Sequence, residues 1–172
     1  FLKYEVIVVN DKSTDNSADI IKEYSIMHEN SSITLLNMSF HQGLETSMNA
    51  GMDLSIGDFV FEFDSVYIDY DWKVMMDIYF HSLKGYDIVN AKSEKHQRFT
   101  SDLFYSVMNR YARLQYSLTS ETFRILSRRA INRIHSISAK IPYRKAIYAN
   151  CGLKYATLSY KPKKEIKSKR QT

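Results

Sequence analysis

Cysteine is nearly absent from this sequence, with Cys151 the only one in 172 residues. A single thiol excludes an internal disulfide and a cysteine-built metal cluster within one chain, and a reducing, cytoplasmic setting is the expectation. Proline and glycine are scarce too, at two and five residues, which sets aside collagen-like and low-complexity classes. No run approaches the roughly 20 apolar residues that a bilayer crossing needs, and residues 1–10 carry no signal-peptide pattern. Neither GxGxxG nor GxxxxGK followed by Ser or Thr occurs, so the dinucleotide fingerprint and the P-loop are both missing. Dehydrogenase and kinase chemistry lose their usual phosphate cradles. No RNP-like strand or helix-turn-helix pattern stands out, and no nucleic-acid partner is expected.

What the chain does hold is aromatic: 13 Tyr and 9 Phe, most of them in apolar periodic runs that read as core. The length suits one hydrophobic core. We therefore expect one domain over residues 1–159 and a basic tail over 160–172. The tail opens with YKPKKEIKSKR, where six Lys and Arg face the single Glu165. It is read either as a solvated tail or as a peripheral contact with an anionic membrane, at the inner face of the cell membrane, where each cation gains about 1 kcal/mol.

Along the chain, strand and helix signals alternate. YEVIVV (4–9) is a β-branched run that polar NDKSTDNS ends, and ADIIKEYSIM follows with the spacing of a helix capped by Asp15, Asn16 or Ser17. ITLL (33–36) is the next strand, and residues 43–56 read as a helix in spite of Gly51. FVFEF (59–63) is the third strand, residues 71–85 a helix closed by Gly85, and YDIVNA (86–91) the fourth strand. Beyond a polar loop, residues 99–118 read as a long helix, FRIL as a short apolar piece, and the run after Ser127 as a helix capped by that serine. Residues 154–159 read as a last strand. Strands that are apolar on both faces and alternate with helices predict a mostly parallel, Rossmann-like α/β sheet with flanking helices. In such sheets ligands bind beyond the carboxyl ends of the strands, where Asn10, Asp11, Asp64 and Asn90 are expected.

Two of those acids carry the chemical reading. Asp11 sits in a loop rich in Ser, Thr and Asp, where it can make an Asx turn and cap a helix, or accept hydrogen bonds from a nucleoside. Asp64 ends a buried strand, where a carboxylate can ligate a divalent cation that bridges phosphate oxygens. A second acid two positions later would strengthen such a site, but that position is Val66. Asp69 and Asp71 follow; Asp69 reads as a helix N-terminal acid or as a further ligand.

At this point the sequence resembles family 2 glycosyltransferases of the GT-A fold. YEVIVVNDKSTDNS is similar to that family's strand-loop-helix signature. GLETSMNAGMDLSIGDFVFEFDS follows its spaced pattern through Gly43, Asn49, Gly51, Gly57, Asp58 and Asp64. FRILSRRAI, residues 123–131, resembles the FRLLSRR segment of the subgroup that moves sugars onto polyprenyl phosphate. The resemblance implies that Asp11, with Ser13 beside it, contacts the nucleoside, and that Asp64 lies by the diphosphate and Mg2+ or Mn2+. It also implies that Arg124 and Arg128 handle phosphate or acceptor, arginine being suited to bidentate anion contact.

Three departures shape the functional expectation. The family's opening strand and helix, ahead of YEVIVV, are not found here. Val66 stands at the second acid of the D-x-D motif, and TSET stands where relatives carry an acidic stretch, leaving Glu121 at shifted spacing as the catalytic carboxylate and as the base for a hydroxyl acceptor. The expected activity is inverting transfer of a hexose from a UDP- or GDP-linked donor to a glycan or polyprenyl-phosphate acceptor. A phosphate oxygen needs no general base, whereas a hydroxyl acceptor does. The alternative is an impaired GT-A module that binds nucleotide or a protein partner without turnover.

Overall fold

The computed structural model describes residues 3–28, 32–94, 110, 116, 121–137 and 143–163. The long helix expected over 99–118 and most of the basic tail lie outside the described residues. The elements run β1 (Glu5–Asn10), α1 (Ser17–Met27), β2 (Ser32–Asn37), α2 (Leu44–Leu54), β3 (Phe59–Phe63) and α3 (Trp72–Ser82). They continue with β4 (Ile88–Ser93), β5 (Glu121–Ser127), α4 (Arg128–Ile137), α5 (Arg144–Tyr148) and β6 (Tyr155–Tyr160).

β1 and β2 pair in parallel, Val6 opposite Ile33 and Asn10 opposite Asn37. The remaining strands form a four-stranded sheet in the order β3-β5-β4-β6. β5 runs antiparallel to both β3 and β4, while β6 is parallel to β4. Within this sheet β3, β4 and β6 therefore point one way and β5 alone opposes them, which is the mostly parallel α/β arrangement expected. Neither β1 opposite β2 nor β3 opposite β5 has a second ladder among the described strands.

Apolar alternation along the sheet fills two cores, one on each face. Ile88 and Leu126 point to the face covered by α4 and α5, where they pack with Ala130, Ile131, Ile134 and Tyr148. Val89, Ile125 and Phe123 point the other way, against Ile78 of α3 and the rings of Tyr70 and Tyr160. Gly51 has a packing reason to sit inside α2, since a Cβ there would come within 3.0 Å of Val9 Cγ2 on β1.

The caps confirm some local expectations and move others. Ser127 Oγ accepts from the Ala130 amide at the start of α4, as expected for its N-cap. FRIL, however, belongs to a full strand, paired on both sides. The N-cap of α3 is Asp71, whose carboxylate accepts from the Lys73 amide. Asp69 does not cap α3; its carboxylate accepts from the Tyr160 hydroxyl at 2.7 Å. Asn90 is not at a strand end but inside β4, opposite Arg124 and Thr157, where its amide donates to the Ala156 carbonyl.

Candidate active site

Register places an ionic row beside the apolar one. On the face under α4 and α5, Val60, Leu126, Ile88 and Tyr155 lie in one row, and Glu62, Arg124, Asn90 and Thr157 lie in the next. That second row stands toward the carboxyl ends of β3, β4 and β6. A carboxylate and a guanidinium inside a sheet are tolerated only when they are paired and hydrogen-bonded, and here they are. Arg124 Nη1 donates to Glu62 Oε2 at 2.6 Å. Arg144, the first residue of α5, donates from Nη1 to Glu62 Oε1 at 2.8 Å, and the Tyr148 hydroxyl donates to the same oxygen at 2.9 Å. Arg144 is held from a third side by Glu45, whose Oε2 accepts from its amide and its Nε.

Both guanidinium groups are fully buried, and each turns its other edge toward Asp64. Arg124 Nη2 donates to Asp64 Oδ2 at 3.2 Å, and Arg144 Nη2 to Asp64 Oδ1 at 3.1 Å. Asp64 follows β3 directly and is 17% exposed at the mouth of the cluster. Lys145 completes the set, its Nζ lying 3.5 Å from Asp64 Oδ2 and 3.2 Å from Glu121 Oε2. Burial works to raise the Asp64 carboxyl, but Arg124, then Lys145 and Arg144, outweigh it and hold it below the usual carboxylate range. The two arginines are shifted up, burial opposing and Glu62 dominating the opposite pull.

Glu121 reaches this cluster through a break in the ladder. Ala91 pairs with Phe123 and Lys92 with Glu121, which leaves Thr122 as the extra residue of a β-bulge. In an even strand Glu121 and Arg124, three apart, would face opposite sides. The bulge brings Glu121 Oε2 to 4.0 Å from Arg124 Nη2 and sends Thr122 to the other face, where its hydroxyl meets Tyr160. The acid at shifted spacing is thus re-aimed by one added residue.

The other expected site residues fall elsewhere. Asp11 accepts from the amides of Gln42 and Gly43 at 2.8 and 2.7 Å and pairs with His41. The Gln42 amide first, then Gly43 and His41, lower its carboxyl against the effect of burial. It therefore ties β1 to the start of α2, and the Asx-type bond in its own loop belongs to Asn10, which accepts from the Ser13 amide. Ser13 itself is exposed. Among the described residues Asp11 and Asp64 share no bonding partner. Arg128, expected to handle phosphate, is placed at the opposite end of β3, where its guanidinium donates to the Gly57 carbonyl and to Ser55, away from Asp64. A groove of about 440 Å³ between α3 and β6, lined in part by Ile78, His81 and Leu158, is on the other face from Asp64.

With Lys145 in place the site does not suit Mg2+ or Mn2+. Such ions need several oxygen ligands around one position, but the position between Asp64 and Glu121 is held by the Lys145 ammonium, and each Asp64 oxygen also accepts from an arginine. Val66, at the second acid position, is 99% exposed. Among the described residues no group of three or more His, Cys, Asp or Glu could hold a metal ion. Sequence reading missed Glu45, Glu62, Arg144, Lys145 and Tyr148. Only Glu62 left a signal, as a lone acid on the core-facing phase of FVFEF.

Comparison with known proteins agrees with the fold. The profile of glycosyl transferase family 2 matches residues 1–135. An uncharacterized glycosyltransferase of Synechocystis sp. is 28% identical over 158 residues, and the uncharacterized glycosyltransferase YkcC of Bacillus subtilis is 22% identical over 163. The alignments take in 88% and 91% of this chain but 48% and 50% of the relatives, so the chain spans about half their length. Among solved structures, the mannosyltransferase PcManGT from Pyrobaculum calidifontis, in complex with GDP-Man and Mn2+, matches with a TM-score of 0.64 at 14% identity, over 96% of this chain and 49% of that one. S. aureus TarS matches at 0.59 and 16%, over 94% and 50%. At these identities the likeness is one of fold, the GT-A fold.

Proposed function

The chain belongs to glycosyl transferase family 2, and from that premise we propose that the protein transfers a hexose from a UDP- or GDP-linked donor, with inversion, to a glycan or polyprenyl-phosphate oxygen. The observation that carries the reading is the convergence of Arg124, Arg144 and Lys145 on Asp64 at the carboxyl end of β3, where an α/β sheet of this kind receives its ligand. Fixed cations there suit the charge that grows on a leaving diphosphate. In the proposed step the acceptor oxygen forms a bond to the anomeric carbon as the bond from that carbon to the β-phosphate oxygen breaks. The electron pair leaves with the nucleoside diphosphate. A phosphate acceptor releases no proton; a hydroxyl acceptor would pass its proton to Glu121.

Asp11 and Ser13 are proposed to face the nucleoside, with Asp11 also holding the loop before α2. The Mg2+ or Mn2+ expected at Asp64 takes part in no step, because the Lys145 ammonium already stands between Asp64 and Glu121. The test is incubation of the intact protein with radiolabelled UDP- and GDP-sugars and a panel of lipid-phosphate and glycan acceptors, with and without Mn2+. Transfer of label supports the proposal. Nucleotide binding without transfer or hydrolysis across the panel would replace it with a binding module.

A further inference from the structure

We propose that the Lys145 ammonium stands in for the divalent cation of this site, so that the donor nucleotide binds without metal. The proposal rests on the donor reading above and concerns how its diphosphate is neutralised. The Lys145 nitrogen lies in a cage of oxygens: Asp64 Oδ2 at 3.5 Å, Glu121 Oε2 at 3.2 Å and the Glu121 carbonyl at 3.4 Å. Two carboxylates and a carbonyl around one position are a hard cation's ligand types. Here the cation is supplied by the chain, on a side chain that is 12% exposed.

Two features of the surroundings make this more than a surface pair. The bulge at Thr122 is what brings Glu121 to the position, so the second carboxylate lost at Val66 is replaced from β5. The arginines on either side of Asp64 are anchored from beneath by Glu62, and Arg144 also by Glu45. Their outer edges donate to Asp64 at the mouth of the cluster. A diphosphate oxygen that arrives there meets the Lys145 ammonium, the most exposed of the three cations, with the two guanidinium groups held behind Asp64, and such preorganised charge needs no reorganisation at the moment of reaction. A dication at the same place would have to displace the Lys145 ammonium and would stand beside the two guanidinium groups that engage Asp64.

Calorimetric titration of the intact protein with UDP and GDP, in EDTA and in Mn2+, tests the idea. The wild type should bind one of them with an affinity that changes by less than about twofold between the two buffers, whereas Lys145→Ala should lose at least about tenfold in EDTA and regain most of it in Mn2+, the emptied cage then accepting the metal. Direct Mn2+ titration followed by electron paramagnetic resonance should show tighter uptake by Lys145→Ala than by wild type. Lys145→Arg should keep metal-free binding, which a purely structural lysine would not distinguish from alanine in this way. Wild-type binding that requires Mn2+ overturns the proposal alone, and that arm needs no variant to fold. Absence of binding to either nucleotide in both buffers overturns the donor reading and the proposal with it.

Discussion

Replacing Glu62 with glutamine should destabilise the fold far more than its small change in shape suggests. The Glu62 side chain is almost wholly buried and accepts from Arg124 at 2.6 Å, Arg144 at 2.8 Å and Tyr148 at 2.9 Å. Glu62→Gln keeps the volume, removes the charge and turns one acceptor into a donor that faces a guanidinium. The two buried cations are then left with Asp64 at the front, Glu121 at 4.0 Å from Arg124, and Glu45 behind Arg144. Removing one partner of a buried pair costs about 3–5 kcal/mol. Against a total of roughly 5–15 kcal/mol for a domain, that is a large fraction. For a chain of this length it corresponds to a fall in Tm of roughly 6–20 °C. Urea unfolding followed by circular dichroism is the assay, with Asp77→Asn as control. The Lys73–Asp77 pair is exposed on α3 and four residues apart, so the control should change by only about 0.3–0.5 kcal/mol. A loss in Glu62→Gln below about 1 kcal/mol would refute the reasoning, since the cluster would then be no stronger than a surface pair.

Other outcomes are expected elsewhere in the molecule. Burial opposes the charge on Asp87, but hydrogen bonds from Arg129 and Ser127 outweigh it and lower its carboxyl. Its contribution is therefore present above the unfolded carboxyl value of about 3.9 and lost as pH falls through the lower folded value. The stability gap between wild type and Asp87→Asn should be widest near neutrality and shrink in acid; a gap that stays constant contradicts this. Asp11→Asn should speed hydrogen exchange at the Gln42 and Gly43 amides that its carboxylate now holds, and unchanged protection there would reject the structural half of its role. The tail should draw the intact protein to anionic vesicles in low salt, and equal recovery in the supernatant with neutral and anionic vesicles would exclude that contact.

The fold was readable where side-chain period and packing agree. The boundaries of β1, β3 and α3 follow from apolar runs with acids at their ends, and Ser127 announces α4 by its hydroxyl. β5 was harder to read, because FRIL is short and its partners β3 and β4 come from earlier in the chain; antiparallel pairing against both is a tertiary property. Asn90 shows the same limit. Its polarity suggested a strand end, while its amide is satisfied by the Ala156 carbonyl across to β6, a partner that no local pattern names.

Of the cluster only Asp64, Glu121 and Arg124 were readable, and the reason is geometric. A motif fixes spacing along one strand, so Asp64 was found, and Arg124 was found by resemblance. The cations that decide what Asp64 does come from α5, some 80 residues later, and Arg144 and Lys145 form no periodic pattern of their own. Glu121 sharpens the point. Strict alternation would put it on the face away from Arg124, and a single unpaired residue, Thr122, reverses that. An insertion of this kind changes which face an acid occupies without changing the composition of the segment, so the letters TSET do not tell which face Glu121 takes. On the proposed reading Val66 and Thr122 describe one displacement, in which the second acid comes from β5 as Glu121 and Lys145 supplies the charge between it and Asp64.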